Sequence, residues 1–177
     1  MTIGPASGAF LVRVTIHRWK QPNDVIVLLD RGPLGLVTHP KASLEADACK
    51  QWLRDLPRQG HLALVPEIID YETRREMLRR SSSNALSRLD ALKAFGNYLP
   101  LTTQAMLQAA DFWASARLRG IPLADRLALD ADVILCAHAA TLLPSFWSMP
   151  NASIVIATMN VAHLSQFADA RPWQDIG

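Results

Sequence analysis

Residues 25–29 read Val-Ile-Val-Leu-Leu, a β-branched and leucine run without polar alternation, which is the pattern of a strand buried on both faces in a parallel sheet. Gly32 and Pro33 break that run. A helical pattern then opens with Ser43 as its cap and Glu45 and Asp47 in its first turn, and closes near Pro57 or Gly60. A second short strand over 61–65 is closed by Pro66, and residues 67–80 are helical up to the Ser81-Ser82-Ser83-Asn84 interruption. A further helix covers 85–95 and stops at Gly96. A brief extended segment over 98–101 precedes a helix capped by Thr102 or Thr103 that runs to Arg119 and Gly120. After a loop over 121–130, a helix fills 133–143 with Asp130 and Asp132 at its start, a last strand fills 153–157, and a short helix fills 162–167. Strands alternating with helices predict an α/β domain with a mostly parallel sheet covered by helices on both faces. Residues 1–24 are poorly patterned and stand as an N-terminal extension to a domain over 25–177.

Composition narrows the function classes. The chain has 177 residues, half of them hydrophobic and 19% charged, which excludes disorder and a solvated charged rod. A formal charge of +2 does not by itself announce nucleic acid, although 14 of the 18 basic residues are arginine, the better phosphate ligand. The longest purely apolar runs are five residues, far short of the ~20 that span a bilayer, and the N-terminus lacks the basic start and apolar centre of a signal peptide. A cytoplasmic protein with no membrane association is expected. Cys49 and Cys136 form no CxxC and read as buried thiols of a reduced compartment.

No phosphate-binding glycine loop, dinucleotide fingerprint, zinc-protease helix or nucleophile elbow occurs in the sequence. The five histidines have no metal-ligand spacing; His138 reads as a hydrogen-bonded core residue, and His163 reads as a surface residue ahead of the alternative that it reaches a site near Asn160. Trp52, Trp113 and Trp147 sit in apolar or helical settings and read as core.

The acids carry the pattern. In an open α/β sheet, ligands bind outside the carboxyl ends of the strands. Asp30 occupies one such end, Asn160 follows another, Asp130 and Asp132 open a helix, and Glu72 follows the second strand beside Ile68, Ile69 and Tyr71. Taken singly, Asp30 is an Asx-turn residue, Asp130 or Asp132 an N-cap, and Glu72 the partner of Arg75 on an exposed face. Gathered at one sheet edge, they repel one another and favour a hard divalent cation.

Four segments resemble the motifs of the PIN domain, in particular the single-domain bacterial proteins of the VapC-like toxin type. Residues 27–35 (VLLDRGPLG) look like the opening strand and first acid, 65–76 (VPEIIDYETRRE) are similar to the second motif with its glutamate at Glu72, 129–139 (LDADVILCAHA) match the third with Asp132, and 154–164 (IVIATMNVAHL) resemble the last strand with Asn160 in the fourth polar position. The resemblance covers about residues 25–170. Arg31 stands where the family usually has a small hydroxyl residue, and Asn160 supplies no charge.

The resemblance implies a three-layer α/β/α fold and metal-dependent cleavage of RNA. Mg²⁺ or Mn²⁺ would be held by Asp30 and Asp132, with Glu72 and Asn160 assisting partly through water and Asp130 as an outer ligand or simply the helix cap. Arg75 and Arg79 share a helix face with Glu72 and either continue the site as a phosphate track or form a solvated basic face, and Arg31 either grips phosphate, pairs with Asp30 or fills the metal pocket. A homodimer, paired through the helices near the second motif, and a small antitoxin protein are the partners implied. The alternative is a PIN-fold module that binds RNA or protein without cleaving, with Arg31 blocking the metal. Asp125 is a weaker candidate acid.

Overall fold

The computed structural model describes residues 24–94, 97–120 and 130–177. The readings of 1–23, of Phe95 and Gly96, and of the loop over 121–129 with Asp125 lie outside the described residues.

Five parallel strands form one sheet in the order β3-β2-β1-β4-β5: β1 is Val25–Leu29, β2 Leu62–Pro66, β3 Tyr98–Leu99, β4 Ser153–Thr158 and β5 Ala170–Pro172. The centre is β1, paired with β4 from Val25–Ser153 to Leu29–Ala157 and with β2 from Ile26–Leu62 to Leu28–Leu64. Four of its five residues are buried, as the unbroken apolar run predicts. The chain passes from β1 outward through β2 to β3, then returns to β4 on the other side of β1. The order therefore reverses between β1 and β4, where open α/β sheets form their ligand crevice.

Seven α-helices of the described residues flank the sheet: α1 Arg31–Thr38, α2 Leu44–Asp55, α3 Glu67–Arg79, α4 Ser83–Ala94, α5 Thr103–Leu118, α6 Ala131–Thr141 and α7 Val161–Leu164. Ser43 and Thr102 cap α2 and α5 by accepting the amides of Ala46 and Ala105. α6 is buried over seven consecutive residues, Val133 to Ala139, and packs between α5 and the sheet. His138 is a core histidine with its Nε2 3.0 Å from the Pro100 carbonyl, and burial lowers its pKa. Trp52, Trp113 and Trp147 pack against the core, Trp52 donating to the Ile176 carbonyl at 2.7 Å. Cys49 and Cys136 are buried thiols pushed up to about 12 by burial, so neither is a nucleophile at neutral pH.

Two elements differ from the sequence expectation. Gly32 and Pro33 do not break the chain; they lie within α1, whose first turn-closing bond runs from the Leu34 amide to the Asp30 carbonyl at 3.0 Å. Pro33 precedes that bond, so its missing N–H costs no hydrogen bond. β5 is not foreseen, because three residues ending in Pro172 carry no strand periodicity; it exists by pairing with β4 through Ile156–Ala170 to Thr158–Pro172. Among the described residues no helix is long and apolar enough to cross a membrane.

Candidate functional site

Asp30 leaves β1 at the reversal of strand order and caps α1. Its Oδ1 accepts the Arg31 amide at 2.6 Å and its Oδ2 accepts the Thr158 hydroxyl at 2.7 Å, across the β1–β4 boundary. The residue is 8% exposed. Burial raises its pKa above the ordinary value; the bonds from Thr158 and Arg31 oppose that rise, and the charges of Asp132 and Glu72 add to it. Asp30 thus feels two of the other predicted acids, Asp132 and Glu72.

Glu72 reaches this edge from α3, which begins immediately after β2 and packs against α1 and α6. Its carboxylate, 16% exposed, lies 3.3 Å from Arg31 Nη1 and 4.0 Å from Arg75 Nη2. Arg31 therefore neither pairs with Asp30 by its side chain nor lies buried: its guanidinium side chain is 55% exposed and meets Glu72. Asp132 stands in the first turn of α6, with its Oδ2 2.6 Å from His163 Nδ1. Asp130 caps α6 by accepting the Val133 amide at 3.2 Å through Oδ1, and its Oδ2 is buried with no hydrogen-bond partner. Asn160 is exposed at the start of α7, and its amide donates to Thr158 Oγ1 at 2.8 Å.

Two residues escape the sequence reading. Thr158 is fully buried and ties Asp30 to Asn160, yet a threonine closing an apolar strand is ordinary β propensity; the polar group at the strand's last position is its only signal. His163 is not a plain surface histidine: α7 brings it onto Asp132, a contact across 31 residues that no local spacing encodes. The basic helix divides. Arg75 lies over the Tyr71 ring at 5.6 Å, while Arg79 makes a two-pronged pair with Glu76 at 2.8 and 2.6 Å that Arg80 joins at 2.5 Å, holding Glu76 down to about 2.

Asp30, Glu72, Asp130, Asp132 and Asn160 all offer oxygen donors, the atom type that hard divalent cations take. The orphaned buried Oδ2 of Asp130 and the raised pKa of Asp30 are both relieved by a cation, so the residue types fit one. Glu72 is turned to Arg31 and Asp132 to His163, and among the described residues no three His, Cys, Asp or Glu side chains converge to hold an ion as they stand.

No family model and no curated protein matches the chain in sequence. In three dimensions it is similar to VapBC2 from Rickettsia felis bound to a DNA fragment from their promoter, with 11% identity, a TM-score of 0.57, and 84% of this chain and 99% of the other covered. It is likewise similar to FitAcB from Neisseria gonorrhoeae, at 15% identity and TM-score 0.56 over 84% of this chain and 99% of the other. VapBC-1 from nontypeable Haemophilus influenzae matches at 16% identity and TM-score 0.53 over 85% of this chain and all of that one. The chain has the PIN-like α/β fold that these structures share.

Proposed function

We propose that the chain is a Mg²⁺- or Mn²⁺-dependent endoribonuclease and the toxin of a toxin–antitoxin pair. The supporting observation is Asp30: a carboxylate buried at the strand-order reversal, its ionised form opposed by burial and by Asp132 and Glu72, awaits positive charge. Asp30 and Asp132 would hold the ion, with Glu72 and Asn160 assisting and Asp130 behind them. The bound ion supplies activation of a water and neutralisation of the charge that builds on the phosphate.

The chain's own residues do the positioning. Thr158 and the Arg31 amide fix both oxygens of Asp30, and Thr158 also fixes the Asn160 backbone. His163 orients Asp132. Arg31 and Arg75, both more than half exposed beside Glu72, are the cations that meet a phosphodiester, with Arg79 further along the helix. RNA is the substrate, and a small antitoxin protein and a second copy of the chain are the partners, in a cytoplasmic setting. The structural neighbours are VapBC and FitAcB, which supports the antitoxin reading.

The test is cleavage of an RNA containing both paired and single-stranded regions, with Mg²⁺ or Mn²⁺ and with EDTA, beside the Asp30→Asn protein. Metal-dependent cleavage absent from the variant is the expected result; cleavage that survives EDTA or the substitution overturns it. The Arg31–Glu72 contact favours one second reading, an RNA- or protein-binding module whose metal site is blocked. That reading requires that calorimetry detect no Mn²⁺ binding to the wild type.

A further inference from the structure

A groove of about 830 Å³ opens beside the acids, between α1 with the turn that follows it and the α3–α4 turn. Arg31, Gly32 and Met159 line the end next to the acids, being chain neighbours of Asp30 and Asn160. Met159 is 59% exposed, and a Cβ on Gly32 would stand 2.9 Å from its Cγ, so the glycine lets the thioether lie flat against α1 at the mouth of the groove. Leu36 and Met77 continue this apolar surface. Thr73, also in the wall, is 95% buried by its 5% exposure, and its hydroxyl has no partner.

The rim is positive. Arg31, Lys41 and Arg80 line it against one acid, Glu76; Arg80 is paired with that acid and Arg31 with Glu72, which leaves the charge of Lys41 open. Lys41 enters no ion pair among the described residues, and its backbone is held by its own amide donating to His39 Nδ1 at 3.2 Å. The first turn of the 12-residue α4, Ser83 to Ala85, faces the groove, and no side chain of the described residues caps its amides. Lys41 and the uncapped amides at the start of α4 line one groove, a combination that attracts phosphate, and the apolar surface in the same groove covers the face of a base.

We propose that this groove is the path of single-stranded RNA adjoining the acid site, one phosphate at the start of α4 with Lys41 and one base against Met159 and Leu36. The assignment of the strand as substrate rests on the nuclease reading; the binding itself does not. A peptide fits it less well, because the groove is lined by three cations and one acid, and an anionic backbone answers that balance better than a neutral one.

The test is fluorescence anisotropy of a labelled single-stranded oligoribonucleotide with the full chain in EDTA, for the wild type and for Lys41→Ala, Asn84→Asp and Met159→Ala. Lys41→Ala is expected to weaken binding and to lower the slope of log affinity against log salt by about 0.7, one single-strand phosphate contact. Asn84→Asp, an exposed and nearly isosteric change at the α4 N-terminus, should weaken binding about fivefold. Unchanged affinity and slope in all three variants, or no saturable binding by the wild type, overturns the proposal. In the cleavage assay Lys41→Ala and Asn84→Asp should raise KM for the long RNA. A wild type that binds through the groove but cuts nothing leaves this proposal standing and sinks the nuclease; one that cuts while every variant binds normally does the reverse.

Discussion

At the scale of the residue, Asp30 is a stability liability with a definite pH signature. Its folded-state pKa lies above the ordinary 3.8, so the folded chain holds the proton more tightly than the unfolded chain does. The associated stability is full below pH 3.8 and is lost as pH rises through the raised value. Asparagine keeps an acceptor for the Arg31 amide and offers a donor to Thr158, whose hydroxyl rotates to accommodate it. Asp30→Asn is therefore expected to melt higher than wild type at pH 7 by about 2–4 °C, equivalent to about 1 kcal/mol, with the two curves converging below pH 3.8. Calorimetric melts across pH check this. A lower melting point for the variant at pH 7 would mean that the bonds from Thr158 and Arg31 outweigh burial and repulsion.

At the scale of the element, the acids are brought to one edge by helices that begin where strands end, and α3 is the most heavily braced. Asp70, 7% exposed, accepts Arg74 at 3.0 Å and Lys93 at 3.1 Å, while Arg74 also reaches Asp90 at 2.6 Å, so α3 and α4 are tied through charged groups. Glu67, the first residue of α3, accepts the Leu101 amide at 2.6 Å and fixes the chain beyond β3. Asp70→Ala leaves two half-buried cations to share Asp90 and is expected to cost about 1–3 kcal/mol in urea unfolding, with Asp70→Asn recovering part of it. A cost under about 0.5 kcal/mol would make the network a solvated surface cluster.

This bracing also explains what was legible in the chain. β1, β2, β4 and the helices from α2 to α6 follow from local periodicity and caps, and with them come Asp30, Glu72 and Asp132, each at the end of a strongly patterned element. α1 was hidden because a glycine and a proline signal a turn unless the preceding aspartate is known to cap a helix. The bond between Thr158 and Asp30 spans 128 residues, and β5 exists only through its partner, so both belong to tertiary pairing rather than to sequence pattern.

At the scale of the whole molecule, the acid site is poised between internal and external cations. Arg31 meets Glu72 and His163 meets Asp132, so an ion entering the proposed metal site would compete with groups the fold already supplies. The Arg31–Glu72 pair is exposed on the arginine side and contributes no more than about 1 kcal/mol to stability, so its removal leaves the fold intact. On the proposed metal site its effect on ion binding would be larger, because the same positive charge both occupies Glu72 and would repel an incoming cation. Arg31→Ser should therefore bind Mn²⁺ more tightly than wild type in calorimetry while melting within about 3 °C of it in EDTA. Binding to the folded state alone raises stability by about 2.7 kcal/mol at a hundred times the dissociation constant. In a Mn²⁺ titration the melting temperature should accordingly begin to rise at a lower concentration in Arg31→Ser than in wild type, and should not move in Asp30→Asn. Equal Mn²⁺ affinity in Arg31→Ser and wild type would show that Arg31 stands clear of the ion's path, and the guanidinium would then be left free to meet the phosphate of the substrate.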